Sequence, residues 1–226
     1  MQNSNVKIVE AITTEQRRLV YRFRYRIYVE EMKRFQQYAD HEQKHVFEPL
    51  DRSGHVLSAS NGSSEQLVGT VRFNVGVDEN FGIYTELYRL GSFAPFFPKN
   101  ISITTKLMVA SSYRRSGLAL DLAAFCYTRG LELETCFDFI DCNPPLVPFF
   151  EHLGYRRTFG PVRHPEYGNV VPLVLVMHDV AHLRKVGSPF AEIGARFEDR
   201  LHSAEFVRDC RFAFEPSSSA FLTSQL

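Results

Sequence analysis

Apolar residues recur along the chain with two periods, and each change of period marks an element. Lys7 to Ile12 reads as a first strand, and Thr13 with Gln16 has the spacing of a helix capping box. From there the pattern predicts a helix to about Lys33: Leu19, Val20, Phe23, Ile27 and Tyr28 fall on one side, with Arg17, Arg22 and Arg26 elsewhere. The periodicity then breaks. Residues 34–50 are irregular and carry Asp40, His41, Glu42, His45 and Glu48, a loop-like segment near an opening, where recognition groups are expected.

Two strands follow, His55 to Ser60 and Gln66 to Val75, joined by the turn Asn61-Gly62-Ser63-Ser64. After a connection rich in Phe and Pro come a strand over Ser102 to Ala110, a helix over Leu118 to Arg129 and a short buried strand over Phe137 to Ile140. Pro144-Pro145 can open another short helix ending near Gly154, and Tyr155 to Thr158 with Val170 to Met177 close the sheet. Strands and helices alternate in the second half, so the fold class is mixed α/β. One or two helices are expected from Asp179, and the final EPSSSAFLTSQL reads as either a loose end or a tether.

Composition narrows the function classes. The 226 residues suit one domain with a well-filled core, residues 179–226 forming a helical extension and tail. Lys+Arg and Asp+Glu both number 26, so no basic excess points to nucleic acid and no acidic bias to disorder. The amino terminus lacks the apolar core of a signal peptide and no stretch is long enough to span a bilayer, which predicts a cytoplasmic protein without a transmembrane segment. Cys126, Cys136, Cys142 and Cys210 lack a C-x-x-C pair; neither a disulfide scaffold nor a zinc site is indicated, and reduced thiols are expected. His41 with His45, and Cys136 and Cys142 with His152, read as surface and core residues rather than metal ligands or nucleophiles. Trp is absent while Phe numbers 20 and Tyr 10, which suits a large core or an apolar ligand cavity equally well.

One stretch carries chemistry. Arg114-Arg115-Ser116-Gly117-Leu118-Ala119 follows a strand and opens a helix, where unpaired first-turn amides face outward and Gly117 lets an acceptor approach the backbone. A phosphate or pyrophosphate suits that place; the alternative is an ordinary helix start with solvated arginines. It is not a Walker loop, since the Gly-Lys-Ser/Thr ending is missing. The stretch resembles the pyrophosphate loop of the GNAT superfamily of N-acyltransferases, of form Arg/Gln-x-x-Gly-x-Gly/Ala, with Arg114, Gly117 and Ala119 matching. The segment Phe149-Phe150-Glu151-His152-Leu153-Gly154-Tyr155 is similar to the superfamily's later helix and its turn into the next strand. The order of Arg24 to Glu31, the acidic segment ending in Leu50-Asp51, Val68 to Phe73 and Glu86 to Leu90 resembles the long-chain N-acyl amino acid synthases and acyl-homoserine-lactone synthases, over roughly residues 15 to 178.

That resemblance implies a three-layer α/β/α fold, acyl-CoA N-acyltransferase-like, around a central mixed, mostly antiparallel sheet. It implies transfer of a medium or long acyl chain from acyl-CoA or a phosphopantetheinyl acyl-carrier protein to a small amine or amino acid, with no tightly bound cofactor. A bulge near Met108, Val109 and Ala110 would meet the pantetheine arm and the acyl carbonyl; Arg114, Arg115, Ser116, Gly117, Leu118 and Ala119 would hold the pyrophosphate. The acceptor site would draw on Arg24, Asp51, Arg72, Glu86 and Arg89. The alternatives are a lactone-forming signal synthase and a non-catalytic acyl-thioester-binding module. Two departures bear on this. The hydroxyl that can protonate the leaving thiolate falls at Phe150, which cannot donate, and Tyr88 stands where the lactone synthases have a small hydroxyl residue.

Acyl transfer to an amine needs a base, because an alkylammonium is mostly protonated at neutral pH. Glu86 is the first candidate and Asp51 the second, the alternative for Glu86 being an ion pair with Arg72 or Arg89. Arg72 and Arg89 would hold an acceptor carboxylate or pair with the acids. Asp138 and Asp141 flank a junction where one could cap the following helix. Phe93, Phe96 and Phe97 line an acyl channel or plug the sheet edge.

Overall fold

In the computed structural model the described residues are 6–62, 66–76, 81–94 and 96–198. Strand β1 (Val6–Glu10) leads to helix α1 (Thr14–Tyr25). Thr13 Oγ1 accepts from the Gln16 amide at 3.2 Å and Gln16 Oε1 accepts from the Thr13 amide at 3.0 Å, so the capping box read from the sequence is formed. The helix does not continue unchanged to Lys33. Arg26–Glu31 is a π-helical turn, with the Met32 amide bonded to the Ile27 carbonyl at 2.9 Å. The wider winding shifts the register of the inward face, so that the adjacent Ile27 and Tyr28 are both buried.

Residues 34–50 are more ordered than their composition suggests. They hold a hairpin, β2 (Ala39–Asp40) with β3 (His45–Val46), and run into a 3-10 turn over Pro49–Asp51. Strands of two residues have no period to read.

The remaining elements are β4 (His55–Asn61), β5 (Leu67–Val75), α2 (Ile83–Leu87), β6 (Ile101–Val109), α3 (Leu118–Glu132), β7 (Phe137–Cys142), α4 (Val147–Leu153), β8 (Arg156–Arg157), β9 (Val162–His164), β10 (Gly168–Val176), α5 (Val180–Lys185) and α6 (Ala191–Glu198). The sheet has eight strands in the order β1-β4-β5-β6-β7-β10-β8, with β9 paired to β10. β6 and β7 run parallel over Ile101–Ile103, whereas β1 with β4, β4 with β5, and β7, β8 and β9 with β10 are antiparallel. This is the mixed, mostly antiparallel sheet with helices around it that the resemblance implied. β5 is buried along all but its first residue, although Thr70, Arg72 and Asn74 alternate with apolar positions along it.

By contacts the chain forms two units. One comprises the chain to Asn74, Thr104–Cys126 and Pro165–Tyr167; the other comprises Val75–Ile103, Tyr127–His164 and the chain from Gly168. In the second unit, Phe93 meets Phe137 and Phe139 at 5.1 and 4.9 Å between centroids, and Phe96 meets Phe137 at 5.0 Å, all edge-on. These two phenylalanines, partly buried, cover the core rings Phe137 and Phe139. The extension after Asp179 contributes α5 and α6, anchored by Phe190 stacked on Tyr127 at 4.7 Å. The expectation for the tail beyond residue 198 lies outside the described residues. Cys126 and Cys142 are buried free thiols, as expected; Cys136 is disulfide-bonded, which corrects the expectation that all four are reduced.

Helix α4 ends at Gly154, whose φ is +108°, and a Cβ there would lie 2.3 Å from Leu183 Cδ2. Both the left-handed backbone and the close approach require glycine. Gly154→Ala should lower stability by about 2 kcal/mol or more, from left-handed strain plus overpacking, read as a fall in the urea unfolding midpoint.

Candidate active site

The first unit buries an ionic network that crosses four elements. Arg24, fully buried on α1, places Nη1 at 2.7 and 2.8 Å from the two carboxylate oxygens of Asp51. Asp51 Oδ2 also accepts the Glu48 amide at 2.8 Å, closing the 3-10 turn on itself. Arg72, on β5, directs Nη1 to Glu48 Oε2 at 2.8 Å and Asp51 Oδ1 at 3.3 Å, and Nε to Thr105 Oγ1 at 3.0 Å. Lys106, on β6, bonds Glu48 and the Tyr167 hydroxyl, with Glu166 Oε2 at 3.8 Å. The Tyr28 and Tyr167 rings stack at 5.6 Å, their centroids 5.2 and 5.0 Å from the ammonium. Three cations thus face three carboxylates, the balance that keeps such a cluster tolerable out of water.

Lys106 has φ +56° inside a strand. A non-glycine residue there costs roughly 1–2 kcal/mol and persists only when its surroundings hold it. Here the ammonium is the holding group. The kink falls just before Met108, Val109 and Ala110, where the resemblance implied a bulge.

Burial alone would raise the Glu48 carboxyl, but Lys106 and Arg72 outweigh it and hold it below the ordinary 4.5. Asp51 is likewise raised by burial and, on balance, held below its ordinary 3.8 by Arg24 and Arg72. A carboxylate so strongly held as an anion accepts a proton poorly, so Asp51 suits the positioning of the arginines better than general-base work.

The turn after β6 carries two left-handed residues and an open backbone. Tyr113 is fixed by its amide on the Ala110 carbonyl at 2.8 Å and by Asn61 Nδ2 donating to its hydroxyl at 2.6 Å. Arg115 at φ +69° and Gly117 at φ +89° then reverse the chain, and no atom lies within 4 Å of a Cβ built on Gly117. Ser116 Oγ takes the Leu118 amide at 3.4 Å, and α3 begins with Ala119 in its first turn. Arg114 is paired with Glu31, whereas Arg115 is exposed without an ion pair among the described residues. Beside the turn, Met108 packs with Phe23, Ile27 and Tyr28, with Ala110 at the margin, an apolar wall along the end of β6.

The other predicted residues belong to the second unit. Glu86, on α2, and Arg89 are exposed; Glu86 makes no side-chain bond among the described residues, and Arg89 lies over the Phe159 ring at 4.5 Å. Phe150 is buried edge-on against Phe149 and Tyr155, at 5.1 and 5.7 Å. Tyr88 is fully buried and donates to Asp141 Oδ1 at 2.5 Å; burial, then Asp141, pushes its hydroxyl well above the ordinary tyrosine value. Asp138 accepts from Ser102 at 2.8 Å and Tyr155 at 2.6 Å, so neither aspartate caps α4. Burial, then Asp141, pushes the Cys142 thiol up to about 12, consistent with an inert core cysteine.

Lys106, Glu166 and Tyr167 were not singled out from the sequence. The one available signal was a lone cation inside the strand run ISITTKLMVA.

The pattern of a GNAT acetyltransferase domain matches residues 23–124, which contain the ionic network's arginines and the whole turn. No curated protein matches the chain by sequence. Among solved structures, FeeM, an N-acyl amino acid synthase from uncultured soil microbes, has 15% identity and a TM-score of 0.57, covering 83% of this chain and 97% of its own. BjaI, a CoA-dependent acyl-homoserine lactone synthase solved with SAM and isopentyl-CoA, has 14% identity and a TM-score of 0.58, covering 92% and 99%. An N-acetyltransferase from Lactobacillus plantarum has 15% identity and a TM-score of 0.56, covering 77% and 99%. At these identities the likeness is one of fold. No described helix is long and apolar enough to cross a membrane.

Two outcomes follow from the network. Because Glu48 and Asp51 are held below their unfolded values, their stabilisation is present above about pH 4.5 and is lost as pH falls through their lower folded values. Thermal midpoints should therefore hold from neutral pH to about pH 5 and drop in acid, and Glu48→Gln should flatten that acid limb. Arg72→Ala should cost about 3–5 kcal/mol in urea unfolding by leaving buried acids short of a partner.

Proposed function

We propose that the chain is an N-acyltransferase of the GNAT type, whose domain pattern residues 23–124 match. It moves a medium or long acyl chain from a thioester, acyl-CoA or phosphopantetheinyl acyl-carrier protein, to the amine of an amino acid or similar small molecule. The observation that carries the reading is the succession, in one unit, of a kinked strand at Lys106, the turn with left-handed Arg115 and Gly117, and the opening of α3. The folds of an N-acyl amino acid synthase and of a CoA-dependent acyl-homoserine lactone synthase support it.

In this reading the turn amides and Arg115 meet the donor's pyrophosphate, and the apolar wall of Met108 and Ala110 lies along the pantetheine arm. A neutral amine attacks the thioester carbonyl, and a backbone amide near Val109 stabilises the tetrahedral oxyanion. The C–S bond then breaks, and the thiolate takes a proton from water, since Phe150 cannot supply one. Glu86 takes the proton from the attacking amine. Arg24 and Arg72 are committed to Asp51 and Glu48, so Arg89 is the arginine proposed for an acceptor carboxylate. The protein is proposed to act in the cytoplasm as a single catalytic domain.

The deciding experiment is mass spectrometry of the purified protein incubated with acyl-CoA and acyl-carrier-protein donors of graded length and a pool of amino acids. An amide product is expected; donor binding without product from any acceptor would instead favour the non-catalytic acyl-binding alternative. Gly117→Val should weaken donor binding about tenfold or more, with a separate loss of stability from the left-handed backbone read in urea unfolding, and unchanged affinity of the folded variant would remove the turn from the donor site. Glu86→Gln should reduce turnover by about 100-fold with donor binding intact, and near-normal turnover across pH would reject Glu86 as base.

A further inference from the structure

The outer side of α1 carries charge that neither the network nor the donor turn uses. With the segment from Gln43 to Arg52 it encloses a cavity of about 540 Å³ whose lining includes Arg17, Arg18, Tyr21, Arg22, Phe47 and Arg52. The volume is within the usual range for a small-molecule site. No residue of the turn from Arg114 to Ala119 lines it, and all its lining lies within the first unit.

The four arginines are not equivalent. Arg17 is spent on the fold: its Nε donates to the Ala11 carbonyl at 3.0 Å, Nη2 to the Gly54 carbonyl at 3.1 Å, and Nη1 to the Asp51 carbonyl. Arg18, Arg22 and Arg52 are exposed, and their side chains make no hydrogen bond or ion pair among the described residues. The only carboxylate in the lining is Asp51, already clasped by Arg24 and reached by Arg72. The cavity therefore has a surplus of positive charge that no side chain among the described residues neutralises. Arg18 and Arg22 stand four residues apart on one helix, a like-charge spacing that weakens α1 unless an anion lies between them.

The wall is not wholly polar. Tyr21 and Phe47 are in contact, ring centroids 5.2 Å apart, and give the cavity an aromatic side on which a flat group can lie. Planar guanidinium forks match phosphate oxygens in pairs, and three such forks around one cavity suit two adjoining phosphates better than a single carboxylate.

We propose that this cavity is a second anion site, distinct from the donor turn, that binds a diphosphate-bearing small molecule through Arg18, Arg22 and Arg52. The proposal does not depend on the acyltransferase reading. Its test is calorimetric titration of inorganic pyrophosphate, and in a parallel arm adenosine diphosphate, into the full chain with coenzyme A held saturating. Both should bind, and the double variant Arg18→Ser with Arg22→Ser should weaken them about tenfold or more while the affinity for coenzyme A stays unchanged. Tighter binding of the nucleotide than of pyrophosphate assigns its ring to the Tyr21–Phe47 side; equal binding assigns an inorganic or aliphatic diphosphate. Pyrophosphate that fails to bind beside coenzyme A, or that binds the double variant as well as the parent, overturns the site. Failure of coenzyme A itself to bind removes acyl-CoA as the donor and leaves acyl-carrier protein, and the pyrophosphate titration of parent and double variant still decides the cavity.

Discussion

A charge placed out of water must be answered within the protein, and in this chain the answer is a closed chain of ion pairs from Arg24 through Asp51, Arg72 and Glu48 to Lys106. Each link ties a different element: α1, the 3-10 turn, β5 and β6. The segment of residues 34–50, polar and without periodicity, is held because Glu48 and Asp51 at its end are two of the acids the arginines need. The strained conformation of Lys106 depends on the same chain, since its ammonium is bonded to Glu48 and enclosed by two tyrosine rings. The network thus fixes the path of β6 before the turn that follows.

This allocation of charge also divides the arginines by task. Arg24 and Arg72 are buried and bound to acids through Nη1, so they position acids and strands. Arg115 and Arg89 are exposed and keep their forks available, the condition for meeting a phosphate or carboxylate that arrives from solution. The arginines on the outer side of α1 form a third group, neither occupied nor part of the donor turn. One residue type, the chain's dominant cation, therefore stands both as internal strut and as exposed fork, and only its partners distinguish the two.

The second unit is held differently. Its centre is a set of edge-on aromatic contacts among Phe93, Phe96, Phe137 and Phe139, with Tyr88 stacked on Phe139 at 5.9 Å. Buried polar groups there are satisfied in short pairs, Tyr88 with Asp141 and Tyr155 with Asp138. Tyr88, a departure from the lactone-synthase pattern in the sequence, is thereby explained as a core residue with a bonded hydroxyl.

The sequence by itself determined the elements with a clear period and their punctuation: the capping box at Thr13 and Gln16, the long strands β4, β5, β6 and β10, helix α3, and the position of the turn from Arg114 to Gly117 between β6 and α3. These are local properties, set within a turn of helix or a few strand residues, and so they can be read from neighbours along the chain. It also brought Arg24, Asp51 and Arg72 to attention through family likeness, without showing that they touch. Tertiary structure decided which charges met. Asp51 became a clasp rather than a free acid, Lys106 entered the centre of the site, and Glu86 and Arg89 stayed exposed. Phe93 and Phe96, partly buried, came to pack on the core rings Phe137 and Phe139. Those outcomes depend on partners tens of residues away and on the cost of desolvating each charge, quantities to which hydrophobic periodicity is blind.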